Sequence, residues 1–405
     1  MRVGLGIFSS ASAGMAIGPV DTALGLDALG VDVTIFAEPG LALPGRARHL
    51  ADRLVALAPP ARELPPRARD ALFLASKLEL GRRWAQAIRD HPLDVVHAFS
   101  PGTAALLPSD LTVVVQAWYH PARSTLRGRL RRESAYGTGS VGASLPGPAR
   151  SAVQVTAHVA RQAQTQASDS LGYRRADLLV TATPSAARFY EQRGRPAAWI
   201  PPCIAVAPAA AQRVPGDAFR IAFCAHPLDR SWKGLRYLLE ALPIVPGGES
   251  LELMLFGGWG ERPDALLQAV ERAGVRVEVT GHIDRDVYLD RVADRADVLV
   301  APALWEEWGY SLFEGLSRGV PVIAFDLYPY AEILEASLGV LVHARDPAAL
   351  ARAIVAARSG GLPARETVLE STRARFGPEA IGARLLDAYD LARRARADTV
   401  RASST

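Results

Sequence analysis

A chain of 405 residues exceeds what one ordinary hydrophobic core organises, so two domains are expected, and a hydrophobic share of 49% excludes the disordered and fibrous classes. Its 2 cysteines, Cys203 and Cys224, exclude a disulfide framework and a structural zinc site, and fit a reducing cytoplasm. The net charge of +4 is unevenly placed: residues 1–205 hold 23 Lys+Arg against 15 Asp+Glu, and residues 206–405 hold 23 against 27.

The first residues, "MRVGLGIF", read as a buried strand, not as a signal peptide, which would need a basic segment before its apolar run. No apolar stretch reaches the ~18 residues of a bilayer span, so a soluble or at most peripheral protein is expected. A loop follows, "SSASAGMAIGPV", in which Gly14 and Gly18 would let the backbone approach a phosphate closely. The spacing G-x-G-x-x-G is absent there, which argues against a nicotinamide dinucleotide. "DTALGLDAL" reads as a helix ended by Gly30, and "VDVTIFA" as the next strand. "LDVVHAF", "LTVVVQAW" and "ADLLVTAT" continue an alternation that predicts β-α-β units on a parallel sheet. In such sheets ligands bind beyond the carboxyl ends of the strands, where His97, Trp118, Tyr119 and His120 fall. A lone histidine at a strand end is also a common structural residue, and both readings stay open for His97 and His120. In "HPARSTLRGRLRRESAYGTGS", Arg123, Arg127, Arg129, Arg131 and Arg132 face one acid, Glu133. That stretch fits an anionic membrane surface or an acidic ligand, and a solvated loop equally well.

"WIPPCIAVAPAAAQRVPGD" is the linker candidate, and the pattern restarts after it. "FRIAFCA", "LELMLFG", "VRVEVTG", "ADVLVAPA" and "VPVIAF" read as strands, and "GLRYLLEALPIV" as a helix. The tail is a long helix whose apolar stripe is Ile381, Leu385, Leu386, Tyr389 and Leu391. "DRD" at 284–286 has the look of a metal-binding acid pair, but solvated surface acids account for it better.

Most of the chemistry concentrates in "LWEEWGYSLFEGLSRGVPVIAF", residues 304–325. Trp305 to Tyr310 form the loop after a strand, and "SLFEGLSR" is a helix stopped by Gly319. Ser311 and Glu314 have capping-box spacing, and a helix starting at Ser311 would aim free N–H groups at an anion. Capping explains Glu314 but leaves Glu306 on the loop unexplained. Lys233, in "SWKGLRYLLEAL", is one of only two lysines, with Lys77.

This segment resembles the signature of the retaining GT-B glycosyltransferases of family 4: a glutamate, seven residues, a second glutamate, then a Gly-x-Pro-Val lead into a strand. Glu306, Gly309, Glu314, Gly319 and Pro321 fall in register, with Ser311 and Trp308 as substitutions. "SWKGLRYLLEAL", "LMLFGGWG", "VTGHIDRDVYLDRVADRADVLVAPAL", "ADLLVTATPSAARFY" and "WIPPCI" carry the resemblance over most of the chain. It implies two doubly wound Rossmann-like domains facing each other across a cleft: an N-terminal acceptor-binding domain, 1–207, to which 380–405 returns, and a C-terminal donor-binding domain, 208–379.

The resemblance also assigns roles. Glu314 takes the ribose hydroxyls, since a carboxylate can accept from two at once. Glu306 lies beside the donor sugar. The backbone of Gly309, Tyr310, Ser311 and Leu312 meets the diphosphate or sugar. Lys233 and Arg230 neutralise the departing diphosphate. Gly14 approaches the donor, the loop at Gly281 and His282 and Trp259 surround the base, and His120 stands near the reaction centre, with Gln116, Trp118 and His97 as the alternatives for that position. His97, Trp118 and Tyr119 are acceptor-side candidates. The implied activity is retaining hexosyl transfer from a nucleoside-diphosphate sugar to a sugar, a small molecule or a lipid-linked acceptor. No metal, other cofactor or nucleic acid is implied, and peripheral membrane contact would run through 121–132. A sugar-nucleotide epimerase of the same fold and a degenerate scaffold are the alternatives. Glu314→Gln, which preserves a capping box, is expected to weaken nucleotide binding and leave stability nearly unchanged.

Overall fold

Runs of valine, isoleucine and leucine without polar alternation suit strands covered by helices on both faces. They form such strands in a computed structural model that describes residues 1–8, 14–60, 65, 72–118, 148–210 and 218–403. The chain divides into one unit of Met1–Ile204 with Phe376–Thr405, and another of Ala205–Arg375.

In the first unit, β1 (Arg2–Ile7), α1 (Gly14–Ala28), β2 (Asp32–Ala37), β3 (Leu54–Ala56), α2 (Phe73–Ile88), β4 (Val95–Ala98), β5 (Thr112–Ala117), α3 (Pro148–Arg175), β6 (Leu178–Thr181), α4 (Pro184–Glu191) and β7 (Ala197–Trp199) succeed one another. The seven strands are parallel, in the order β3-β2-β1-β4-β5-β6-β7. The order reverses between β1 and β4, and at such a switch point the diverging connections leave a crevice for a ligand.

One face of this sheet is covered by α1 and by the C-terminal helix Pro378–Ser403. Val20, Ala23 and Leu26 of α1 meet Ile381, Leu385, Ala388, Tyr389 and Ala392 in one core. Gly25 permits this approach: a Cβ there would stand 2.2 Å from the Pro378 carbonyl oxygen. The apolar stripe therefore runs through Ala388 and Ala392, and Leu391, expected in it, is 51% exposed. Residues 381, 385, 388 and 392 keep the three-and-four spacing of one helical face, which 391 leaves.

Helix α1 also corrects the reading of 9–20 as one loop. It begins at Gly14 and runs through Gly18 and Pro19. Burial of its apolar face against the C-terminal helix outweighs the low helix propensity of glycine and proline. The expected linker starts late as well, because Ile200, Cys203 and Ile204 are buried with the first unit.

The second unit holds β8 (Phe219–Cys224), α5 (Leu235–Ala241), β9 (Leu251–Phe256), α6 (Asp264–Arg272), β10 (Arg276–Val279), α7 (Arg285–Arg295), β11 (Val298–Ala301), α8 (Tyr310–Leu316), β12 (Val322–Phe325), α9 (Tyr330–Ile333), β13 (Gly339–Val342) and α10 (Pro347–Arg358), with α11 (Arg365–Phe376) at its end. Its six parallel strands follow the order β10-β9-β8-β11-β12-β13, with the switch point between β8 and β11. Both units are thus doubly wound parallel α/β sheets, as expected.

Candidate functional site

The loops after β8 and β11 flank the second unit's switch point, and close backbone contacts tie them together. Lys233 ends a 3-10 turn, Ser231–Lys233, which Gly234 closes at φ 77°. A Cβ on Gly234 would lie 1.8 Å from the Pro302 carbonyl oxygen, so only glycine lets the two loops meet. The Leu304 N–H donates to the Trp232 carbonyl at 2.8 Å. This scaffold brings the Lys233 ammonium onto the Glu306 carboxylate as an ion pair. A small pocket opens there, lined by Cys224, Lys233, Glu306, Ser311 and Tyr330 among others. The Cys224 thiol is pushed up to about 12 by burial first and by the Glu314 charge second, so it is an inert part of the floor.

Arg230 stands near this pair on the same loop. Its guanidinium lies 5.1 Å from the Trp232 ring centre, and its buried Nε has no hydrogen-bond partner among the described residues. A cation held by stacking, with a donor left over, suits an incoming anion.

Glu314 corrects the capping-box expectation. The helix begins at Tyr310, and its N-cap is Gly309 at φ 84°, with no side-chain cap. Ser311 is the second helical residue, and the Glu314 carboxylate accepts from Arg285 Nε at 2.5 Å. Only glycine takes this left-handed position without strain, and a side chain there would also strike Tyr330: a Cβ would be 2.2 Å from its hydroxyl oxygen. With seven residues, α8 is too short to serve alone as the anion site expected of it. The Leu312 N–H is also used internally, donating to the Gly309 carbonyl at 2.9 Å, and the Leu312 side chain is buried. The Tyr288 hydroxyl donates to the Ser311 carbonyl at 3.0 Å, linking α7 to α8. Trp308 stacks on Phe313, ring centres 4.0 Å apart, and anchors the loop before Gly309.

Gly309→Ala should lower the melting temperature. The left-handed backbone costs about 1–2 kcal/mol once a Cβ is present, and the contact with Tyr330 adds to that. Adding Tyr330→Phe should recover only part of the loss, because it removes the hydroxyl at 2.2 Å but leaves the ring carbons at 3.1 and 3.2 Å and the backbone strain.

Three residues of this neighbourhood escaped the sequence reading. Arg285 lay inside the acid pair "DRD", whose Asp284 and Asp286 are exposed. Tyr288 follows on the same helix, where apolar spacing marks it only as core. Tyr330 has no motif around it, yet it is buried beside the pocket and its phenol is held well above the usual range by burial first and the Glu306 charge second. Beyond β9 and β10, the Gly257 N–H donates to the Gly281 carbonyl at 3.0 Å, and the His226 and His282 rings lie 5.1 Å apart.

In the first unit, His97 and Gln116 sit on neighbouring strands, on the sheet face that α1 and the C-terminal helix cover. His97 is fully buried, stacks on Phe99 at 4.3 Å, and shares a 2.9 Å hydrogen bond through Nδ1 with the Tyr389 hydroxyl. Burial lowers its pKa to about 3, so the ring is neutral. The Trp118 indole donates to the Phe99 carbonyl at 2.6 Å. Gly14 starts α1. Tyr119, His120 and the Arg-rich stretch 121–132 lie outside the described residues.

Residues 218–359 match the family model "Glycosyl transferases group 1". A phosphatidyl-myo-inositol mannosyltransferase of Mycobacterium leprae is 33% identical over 159 residues, 38% of this chain and 39% of that protein. The chain spans between 31% and 39% of the length of the curated relatives it matches. Among solved structures, a sucrose-phosphate synthase from Thermosynechococcus elongatus superposes with a TM-score of 0.63 at 17% identity, covering 96% of this chain and 99% of the other. The Anabaena protein HepE, solved in complex with UDP and glucose, gives 0.62 at 15% identity over 96% and 99%. The fold is therefore GT-B, shared over nearly the whole chain, with the group 1 match confined to the second unit.

Proposed function

We propose that this chain is a retaining glycosyltransferase of family 4, moving a hexosyl group from a nucleoside-diphosphate sugar to an acceptor hydroxyl. The observation that carries the reading is the Lys233–Glu306 ion pair at a pocket whose Cys224 also feels the Glu314 charge, within the segment that matches the group 1 family model. Lys233 and Arg230 receive the diphosphate, and Glu314 accepts from the ribose hydroxyls. As the bond from the anomeric carbon to phosphate oxygen breaks, its electron pair goes to the diphosphate, whose growing charge the two cations stabilise. The acceptor oxygen attacks the same face, and its proton passes to the departing phosphate oxygen. Lys233 exchanges Glu306 for phosphate on binding, which leaves Glu306 beside the sugar. The protonated Tyr330 phenol is a further donor at the same pocket. The loop at Gly281 and His282 borders the base, and the first unit takes the acceptor. Peripheral membrane contact through 121–132 belongs to the same reading and rests on the charge of that stretch alone.

Since HepE holds UDP and glucose, UDP-glucose is the first donor to try. Thermal shifts with UDP, GDP, ADP and TDP, followed by mass spectrometry of products from the matching donors, test the reading. A nucleotide-dependent shift and a glycoside whose anomeric configuration matches the donor are expected. A free epimerised sugar without glycoside, or no shift with any nucleotide, would overturn it.

Glu314→Gln now carries a different expectation. The amide leaves Arg285 without its charge partner beside a group that is only 8% exposed. Denaturant unfolding should show a loss of about 1–3 kcal/mol, along with weaker nucleotide binding. Weaker binding at unchanged stability would argue that the Arg285 pair is energetically idle.

A further inference from the structure

The first unit contains a pocket of its own, lined by Gly18, Thr22, His97, Gln116, Trp118 and Cys203 among others. Two of its buried polar atoms have no hydrogen-bond partner among the described residues: His97 Nε2 and Gln116 Nε2. His97 is 0% exposed and Gln116 3%. Unpartnered polar atoms buried to this degree are rare in native proteins, and each is costly unless something occupies it. These two lie on adjacent strands, on the same face of the sheet, at the carboxyl ends beside the switch point.

The lining also indicates what the occupant must be. Among the described lining residues none carries a formal charge, and the His97 ring is neutral. An anionic group would find no counter-charge in this pocket, and its desolvation would go uncompensated. The Gln116 amide nitrogen donates. His97 Nε2 accepts or donates according to the tautomer set through Tyr389. A hydroxyl does both and is uncharged, so it fits either tautomer. The cavity is only about 10 Å³, so it admits a single hydroxyl and no ring, and the rest of such a ligand stays outside it.

We propose that this pocket binds an uncharged, hydroxyl-bearing group of the acceptor, a hexose or cyclitol hydroxyl free of phosphate at that position, held by His97 Nε2 and Gln116 Nε2. The proposal rests on the glycosyltransferase reading for the word acceptor, but the binding site itself does not depend on it.

The test uses the full chain without any donor. Saturation-transfer NMR with glucose and myo-inositol, competed by glucose 6-phosphate and inositol 1-phosphate, reads the class of ligand. Selective 15N-histidine labelling reads His97 Nε2 directly. The uncharged polyols should bind and shift the His97 Nε2 resonance, the phosphorylated forms should fail to compete, and Gln116→Met should weaken polyol binding by about tenfold. Gln116→Met keeps the side-chain length, and an unchanged melting temperature certifies its fold. Three results would each overturn the proposal: equal competition by the phosphates, binding within twofold in Gln116→Met, or a His97 resonance that no polyol moves, as a permanently bound water would give. A nucleotide thermal shift in the same samples separates the two readings. Nucleotide binding without polyol binding sinks the pocket alone, and polyol binding without nucleotide binding sinks the transferase reading alone.

Discussion

Lys233→Met is expected to lower turnover by ~100-fold or more, the loss seen when one preorganised donor is removed from a developing oxyanion. The ammonium carries a full charge and acts where the diphosphate gathers negative charge, so its removal should fall on kcat more than on KM. The substitution has a structural side effect, because it leaves Glu306, 14% exposed, without its ion-pair partner. A loss of about 1–3 kcal/mol of stability should accompany it. Adding Glu306→Gln removes the stranded charge and separates the two effects. The double variant should regain stability while turnover stays low. If stability and turnover returned together, Lys233 would be a structural residue and the catalytic reading would fail.

Acid should weaken the protein through His97. Its folded-state pKa is lowered to about 3 by burial, and the unfolded value is the ordinary 6.5. Between those values the unfolded chain binds a proton that the folded chain refuses, so stability is fully present above about pH 6.5 and falls as pH drops toward 3. The total is on the order of 5 kcal/mol, more than half of it lost by about pH 4.5. Urea unfolding at a series of pH values measures the slope. With 8 histidines in the chain, the decisive quantity is the difference between wild type and His97→Gln. The variant should lose the His97 part of the slope, whatever its stability at pH 7. Parallel profiles would show that His97 takes up its proton as easily in the folded protein as in the unfolded one.

The sheets were legible because their strands are apolar on both faces, which local composition records. β3, β7 and β13 went unread: two are three residues long, and β13 is four with a glycine at its start. Glu306, Gly309 and Glu314 stood out because glycine and acid spacing survives in one dimension. What those residues touch did not. Arg285 reaches Glu314 across 29 positions, and Lys233 reaches Glu306 across 73. The capping box failed for a related reason: Ser311-x-x-Glu314 has the right spacing, but Gly309 meeting Tyr330 fixes where the helix starts, and that contact is tertiary. Only the start of helix α1 was misplaced, because the buried face that stabilises it is supplied by residues more than three hundred positions away.

That same distance governs how the molecule is made. The core of the first unit includes Ile381, Leu385, Ala388, Tyr389 and Ala392, and His97 finds its hydrogen-bond partner 292 positions later. Residues 205–375 are in effect an insertion, translated between the two parts of their host. During synthesis the inserted unit has its whole sequence first and can fold as a unit. The host must wait, with the α1 side of its sheet only partly covered, until the helix Pro378–Ser403 leaves the ribosome. A nascent chain whose residues 376–403 are still inside the ribosome would thus present a finished second unit attached to an open first one, so the order of completion runs opposite to the order of the N-termini.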